Sequence, residues 1–285
     1  MIQTAVFTDK IVFEGVRNFS PALIFDCGQC FRFDVLADGS AEGTVGREHA
    51  KISVRGDTVT VDGGQDRELW RRFLCIDEDY DAIKKNIGEH FGKYGYVIFD
   101  AMRVGDGIRI LRQDEWEALC SFIVSQNNNI GRIKKIIARL CEKFGEPFES
   151  GGKIYYSFPK AETLACASEI DIFSCGTGFR AKYISDAAKK VASGEINLES
   201  ISSLDDENAR AELMKICGVG PKVANCALLF GFHRLSSFPI DVWIKRVLDK
   251  YYKNGIDLGD LGDYAGVAQQ YLFYYERYKN GEEIK

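Results

Sequence analysis

The 285-residue chain is poor in several kinds of feature, and each shortage removes a class of explanation. Only three histidines occur, His49, His90 and His233, and none has a carboxylate or second histidine at helical ligand spacing, so no metal site held by side chains is expected. No segment reaches about 18 uncharged apolar residues, which excludes a membrane-spanning helix. The stretch MIQTAVFTDKIVFEGV carries charges and no unbroken apolar run, so a cytoplasmic protein without a secretory leader is expected. Positive charge is not in excess: 37 Lys and Arg against 42 Asp and Glu leave a net charge of −5, which excludes a broad basic coat for nucleic acid. Any such contact must be local. There is no repeat of about 20–50 residues, no low-complexity tract and no linker rich in Pro, Ser or Gly.

What is present is ample apolar content, 46%, enough for two or three packed units at this length. Nine cysteines at irregular spacings read as reduced, buried thiols rather than a disulfide framework. Cys27-Gly-Gln-Cys30 is the one close pair, and no second Cys or His pair lies at ligand spacing to complete a zinc site. Local basic clusters occur at Arg132, Lys134, Lys135 and Arg139, at Arg180, Lys182, Lys189 and Lys190, and at Arg234, Lys245 and Arg246. Each reads more readily as a solvated helix face than as a phosphate site.

Phe31, Phe33 and Val35 alternate, and residues 52–61 read as two strands around a Gly-Asp turn, so the first hundred residues are expected to be mainly antiparallel sheet. Two short helices are expected there, near 67–74 and 79–91. From about Gln113 the period changes. Trp116, Leu119, Cys120 and Ile123 form one helical stripe, and Ile130, Ile133, Ile137, Leu140, Cys141 and Phe144 another. The expected fold is α+β, divided into an antiparallel β unit at 1–112 and a helical unit at 113–285, with a packed boundary between them.

Within the helical unit, 206–216 reads as a helix with apolar Ala209, Leu213 and Ile216, interrupted at Gly218-Val-Gly220. Pro221 then restarts a helix through Phe230. Two glycines permit positive φ and close approach, leaving amides at a helix start to face a phosphate: Gly218, Val219 and Gly220 form a candidate DNA clamp in a helix-hairpin-helix spanning 206–230. A plain turn would read the same way. Lys222 stands in the first turn of the second helix, where the dipole and partial burial disfavour a charged amine, and a neutral amine can attack carbon. Asp241 follows as the N-cap of another amphipathic helix. A carboxylate there could stabilise the cationic sugar of a breaking glycosidic bond. Phosphate contact by Lys222 and simple capping by Asp241 stay open as alternatives.

These residues also carry a resemblance. The Gly-Val-Gly-Pro-Lys hairpin followed by Pro-Ile-Asp241 resembles the helix-hairpin-helix glycosylase superfamily. Cys27-Gly-Gln-Cys-Phe-Arg32, Gly107-Ile-Arg-Ile-Leu-Arg-Gln-Asp114, Ser125-Gln-Asn-Asn-Asn-Ile-Gly-Arg132, Gly178-Phe-Arg-Ala-Lys-Tyr183 and Tyr264-Ala-Gly-Val-Ala-Gln269 with Phe273 are similar to its eukaryotic-type 8-oxoguanine DNA glycosylases, here as a bacterial member. The similarity runs from about Cys27 to Tyr275.

The resemblance implies a TATA-binding-protein-like antiparallel domain, two helical subdomains, and a bifunctional glycosylase and β-lyase of base excision repair. Lys222 would attack the sugar C1′ and form a Schiff base, with Asp241 as its electrostatic partner. A flipped 8-oxoguanine would meet the carbonyl of Gly28, the amide of Gln269, and the faces of Phe273 and Cys226. Asn127 would fill the gap, Phe179 would wedge the duplex, and Arg132 and Arg180 would hold the opposite cytosine. The partner would be double-stranded DNA with 8-oxoguanine opposite cytosine, bound by a nucleoid-associated monomer. Two positions depart from the family: Phe179 where tyrosine is usual, and Trp243 where histidine is common. No cofactor is implied, and no cysteine follows Cys226, so the iron–sulfur cluster of some relatives lacks its ligands. The carbonyls of Met214, Ile216 and Val219 are where the family can hold an alkali cation. Another lesion, or a non-enzymatic DNA-binding module, are the rival readings.

Overall fold

The computed structural model describes residues 9–279. Five strands, β1 (Lys10–Phe13), β2 (Phe33–Val35), β3 (Ala41–Val45), β4 (Glu48–Arg55) and β5 (Thr58–Asp62), form one antiparallel sheet in the order β1-β5-β4-β3-β2. The β4–β5 turn lies where the Gly-Asp pair put it: Gly56 adopts φ +62°, and Arg55 pairs with Thr58 across a two-residue loop. Alternation buries Ile52, Val59 and Val61 on one face. Phe31 falls outside the short β2.

Four helices stand beside these strands, not two: α1 (Pro21–Asp26), α2 (Arg67–Phe73), α3 (Tyr80–Phe91) and α4 (Val97–Val104). The expectation of mainly sheet is corrected here. Helices α2 and α3 lie where predicted, each capped by an aspartate, Asp66 and Asp79. Helix α1 is six residues long and α4 eight, too short for their periodicity to stand out. Phe25 of α1 stacks on Phe33 with ring centres 4.1 Å apart, and Trp70 and Phe73 of α2 close the same aromatic core.

The remaining helices are α5 (Glu115–Ser125), α6 (Ile130–Phe144), α7 (Ala161–Cys166), α8 (Glu169–Ile172), α9 (Ala181–Ala192), α10 (Leu198–Ile201), α11 (Asp206–Leu213), α12 (Pro221–Phe230), α13 (Val242–Tyr251) and α14 (Ala265–Lys279). A hairpin of β6 (Pro147–Ser150) and β7 (Lys153–Tyr156) is inserted among them. Helix α5 is buried nearly all round and packs along α12, with Phe122 stacked on Phe230 at 5.0 Å. Truncating such a ring to alanine typically costs about 3–5 kcal/mol, so this contact fixes α12 firmly. The helical core also takes in Ile83, Ile87 and Phe91 of α3 and Ile98 and Ala101 of α4, while Leu111 belongs to the sheet core.

Around residue 112 the two cores are joined rather than linked loosely. Leu111 N–H donates to Gln29 Oε1 at 2.9 Å, Gln113 Nε2 to the Gln29 carbonyl at 2.7 Å, and Gln113 N–H to the Phe230 carbonyl at 3.1 Å. None of the described helices is long and apolar enough to cross a membrane.

Candidate active site

Helix α12 begins at Pro221, as its fixed φ favours, and Lys222 follows in the first turn. The Lys222 amine is half-buried, 3.3 Å from Ser125 Oγ and 5.5 Å from the centre of the Phe122 ring. Asp241 caps α13: one carboxylate oxygen accepts the N–H groups of Trp243 at 3.0 Å and Ile244 at 2.9 Å. These bonds fix the carboxylate and hold it at the positive end of the helix. The segment before it is anchored by Phe238, whose ring lies 6.3 Å from Phe91.

Lys222 and Asp241 line the same cleft, about 1420 Å³, which opens between α5, α6, α12, α13 and α14. Gly28, Asn127, Gly220, Cys226, Gln269 and Phe273 line it too. Burial pushes the Cys226 thiol up, opposed by Lys222 and reinforced by the charge of Asp241, so both charged groups lie near one sulfur. That thiol stays protonated and acts as a small apolar wall.

Gly28 shows why a glycine is needed. Its φ is +79°, and a Cβ there would sit 3.3 Å from Ile130 Cδ1 and 3.5 Å from the Phe273 ring. On α14, Gln269 is buried and its Oε1 has no hydrogen-bond partner among the described residues. An orphaned buried acceptor costs about 1–3 kcal/mol. A cleft-lining amide left in that state is set up to meet a ligand.

On the other side, Asn127 is exposed in the left-handed region, φ +48°. Arg180 supports that turn: its guanidinium donates to the carbonyls of Gln126, Asn127 (2.9 Å) and Thr177 (3.2 Å) and is almost wholly buried. Burial lowers its pKa, with Arg132 close enough to add to the effect. Phe179 is 52% exposed and its ring lies 4.4 Å from the Arg180 guanidinium. Arg132 is exposed in the first turn of α6. These three side chains stand outside the cleft lining, beside Asn127.

The hairpin differs from expectation in two details. Helix α11 ends at Leu213 with Met214 as its cap, so Ile216 is buried in the following turn rather than in the helix. Only Gly218 has positive φ, +77°, where a Cβ would press within 2.5 Å of the Tyr183 ring; Gly220 is an extended N-cap, φ −96° and ψ −178°. Gly220 offers no side-chain cap. Pro221 carries no N–H, so the Lys222 and Val223 amides open α12 without a side-chain cap, the condition under which a helix start can take an anion.

Sequence reasoning missed the residues that hold this site. Gln29 is fully buried and bonds the carbonyls of Ile24 (3.2 Å) and Arg109 (2.8 Å), pinning the Gly28 turn. Gln270, next to Gln269, donates to the Cys27 carbonyl at 2.5 Å. The signal was there as glutamines inside apolar stretches, Gln29 between two cysteines and Gln270 beside the α14 stripe. The Cys27–Cys30 pair is neither oxidised nor exposed; burial pushes both thiols up to about 12. Seven of the nine cysteines are buried as expected, but Cys166 and Cys217 are exposed. Lys134 is tied to Asp34 at 3.0 Å, and Arg234 to Asp206 at 2.6 Å, so these two basic residues serve the fold.

Sheet, helical bundle and a hairpin presenting a lysine over a cleft are a known combination. Residues 120–256 match the HhH-GPD superfamily base excision DNA repair protein family, and residues 11–119 match the 8-oxoguanine DNA glycosylase N-terminal domain. The structure of Clostridium acetobutylicum 8-oxoguanine glycosylase/lyase in complex with double-stranded DNA containing cytosine opposite 8-oxoguanine is 38% identical. It has a TM-score of 0.88, over 96% of this chain and 97% of that one. MBOgg1 in complex with a low-affinity DNA ligand is 42% identical, with a TM-score of 0.89 over 95% and 96% of the two chains. The N-glycosylase/DNA lyase of Saccharomyces cerevisiae is 40% identical over 159 residues, 52% of this chain and 42% of the yeast protein, so the match spans less than half of that relative. The chain belongs to the 8-oxoguanine DNA glycosylase family within the HhH-GPD superfamily.

Proposed function

We propose that this protein is a bifunctional DNA glycosylase and β-lyase that flips 8-oxoguanine out of duplex DNA and excises it. The observation that carries this reading is a single cleft holding a half-buried lysine amine, a helix-capping carboxylate and a buried amide oxygen with no partner. The amine of Lys222 attacks the sugar C1′, the glycosidic bond breaks, and the base leaves with the bonding electrons and takes up a proton. Asp241 offsets the positive charge that develops on the sugar. The nitrogen sheds a proton and the C1′–O4′ bond breaks, O4′ leaving with the electron pair and taking up a proton, which opens the sugar to a Schiff base at C1′; loss of a C2′ proton then expels the 3′ phosphate.

In this reading the Gly28 carbonyl accepts the N7 hydrogen that distinguishes 8-oxoguanine from guanine, and Gln269 bonds the Watson–Crick edge. Phe273 and Cys226 bracket the ring. Asn127 enters the gap, Phe179 wedges the stack, and Arg132 and Arg180 hold the orphaned cytosine. Gly218, Val219 and Gly220 receive a phosphate at the start of α12. The chain divides at residue 112, works as a monomer on nucleoid DNA, and uses no iron–sulfur cluster, its last cysteine being Cys226. The carbonyls of Met214, Ile216 and Val219 hold an alkali cation; that of Ile216 already accepts Val219 N–H at 3.0 Å and keeps one lone pair for it.

A cleavage panel of lesions crossed with opposite bases tests the assignment. Fastest turnover on 8-oxoguanine opposite cytosine is expected. Faster excision of an oxidised pyrimidine or a mispaired adenine would contradict it.

A further inference from the structure

Away from the cleft, tertiary packing gathers three metal-ligating residues that sequence spacing kept apart. Cys75 lies within the turn after α2, Glu78 precedes α3, and His233 follows α12. One ligand atom from each lies within 4.8 Å of the others. His233 Nε2 is 2.5 Å from Glu78 Oε1 and 3.7 Å from Cys75 Sγ. We propose that Cys75, Glu78 and His233 form a site for a zinc-like divalent cation, with a fourth position open to water, which straps the lysine-bearing helix to the α2–α3 turn.

The donor set decides the class of ion. One thiolate, one imidazole and one carboxylate suit borderline-soft Zn²⁺ and disfavour Mg²⁺ or Ca²⁺, which take oxygen. Bond lengths of about 2.0–2.3 Å to a tetrahedral ion set ligand atoms about 3.3–3.6 Å apart. The sulfur–nitrogen distance already fits, and the Glu78–His233 contact has to open by less than an ångström.

Two further observations distinguish this cluster from an ordinary ion pair. Glu78 Oε2 and His233 Nδ1 are buried without partners among the described residues. A bound cation draws on the carboxylate that lacks one, and the imidazole is 92% enclosed by side-chain accessibility, its exposure being 8%. Cys75 and His233 are also both in the left-handed region, φ +50° and +54°. The other non-glycine residues there, Asn18 and Asn127, belong to a type that visits it readily; cysteine does not. Strain of this kind collects at ligand clamps. The turn is held from behind by Arg109, which donates to the Cys75 carbonyl at 2.6 Å. Burial pushes the Cys75 thiol well above its ordinary value, reinforced by the charge of Glu78 and opposed by Arg112 and Arg109, so the ion has to displace its proton. Binding releases the thiol proton to solvent.

The test uses the whole chain, freed of metal with a chelator, in equilibrium dialysis against Zn²⁺ and in titration with Co²⁺. One ion per chain is expected, with a thiolate-to-cobalt charge-transfer band in the near ultraviolet. Losing an outer-shell partner weakens metal sites about 10–100-fold, so Cys75→Ser and His233→Asn are expected to weaken binding more than ~100-fold, and Cys75→Ser to abolish the band. Cys166→Ser and Cys217→Ser, which remove the exposed thiols, leave both unchanged. Glu78→Gln, folded by circular dichroism, keeps the band but binds more weakly. No stoichiometric ion in the wild type, binding that survives Cys75→Ser, or cobalt uptake without the band would each overturn the proposal.

Discussion

The Lys222 amine reaches Ser125 Oγ across 3.3 Å, from a helix 97 residues further along the chain. Ser125 in turn donates to the Phe122 carbonyl at 2.8 Å, so the amine is held over a side chain whose own position is fixed. Ser125→Ala removes one hydrogen bond of about 1 kcal/mol. Single-turnover excision is expected to slow about fivefold, with little change in thermal stability. An unchanged rate would show that Ser125 does not position the amine.

Gln269 exposes a trade between stability and function. Its Oε1 is buried and unpartnered, so Gln269→Leu relieves a desolvation cost of about 1 kcal/mol or more and should raise the unfolding midpoint. The same change should slow excision of 8-oxoguanine at least ~10-fold. A destabilised variant with normal activity would place the amide in the core and not at the base.

Phe179 lies on the Arg180 guanidinium, 4.4 Å away, and is half-exposed. Phe179→Tyr restores a hydroxyl without disturbing the core. The preference for cytosine over adenine opposite the lesion is expected to rise about fivefold, the worth of one hydrogen bond. Equal excision ratios in variant and wild type would refute this.

His49 predicts the pH dependence of stability. Burial holds its pKa below the ordinary value of about 6.5, against the pull of Glu42 at 2.9 Å. As pH falls, the unfolded chain takes up the proton first. The stability linked to His49 is complete above about pH 6.5 and is lost as pH drops through the folded value. Denaturant midpoints should therefore fall between pH 7 and pH 5, and His49→Gln should flatten that slope. A slope unchanged by the substitution would contradict the assignment.

Strong local signals were legible in the sequence. The Gly56-Asp57 turn, the Pro221 restart of α12 and the Asp241 cap all rest on one residue's backbone or side-chain chemistry, and the structure has each where it was read. Helices α1 and α4 escaped because their few turns leave no period to count. Glycine permits positive φ at Gly220 as at Gly218, yet an N-cap needs only extended backbone. Gln29 and Gln270 stand out only as polar residues in apolar surroundings, and what they bond, like the Cys75–Glu78–His233 cluster, was illegible for a different reason. Their partners lie far along the chain, 158 residues in the case of Cys75 and His233, and only packing brings them together. The roles of Cys226 and Phe273 toward a base came from family resemblance, since an apolar residue on a helix reads the same whether it meets a core or a ligand.

The central claim is that the Lys222 amine bonds to the sugar. Borohydride reduction during turnover of a duplex holding 8-oxoguanine opposite cytosine, followed by peptide mapping of the trapped complex, tests it directly. Wild-type protein is expected to give a covalent adduct on Lys222, and Lys222→Gln none. An adduct on another residue, or wild-type excision with no adduct at all, would contradict the account.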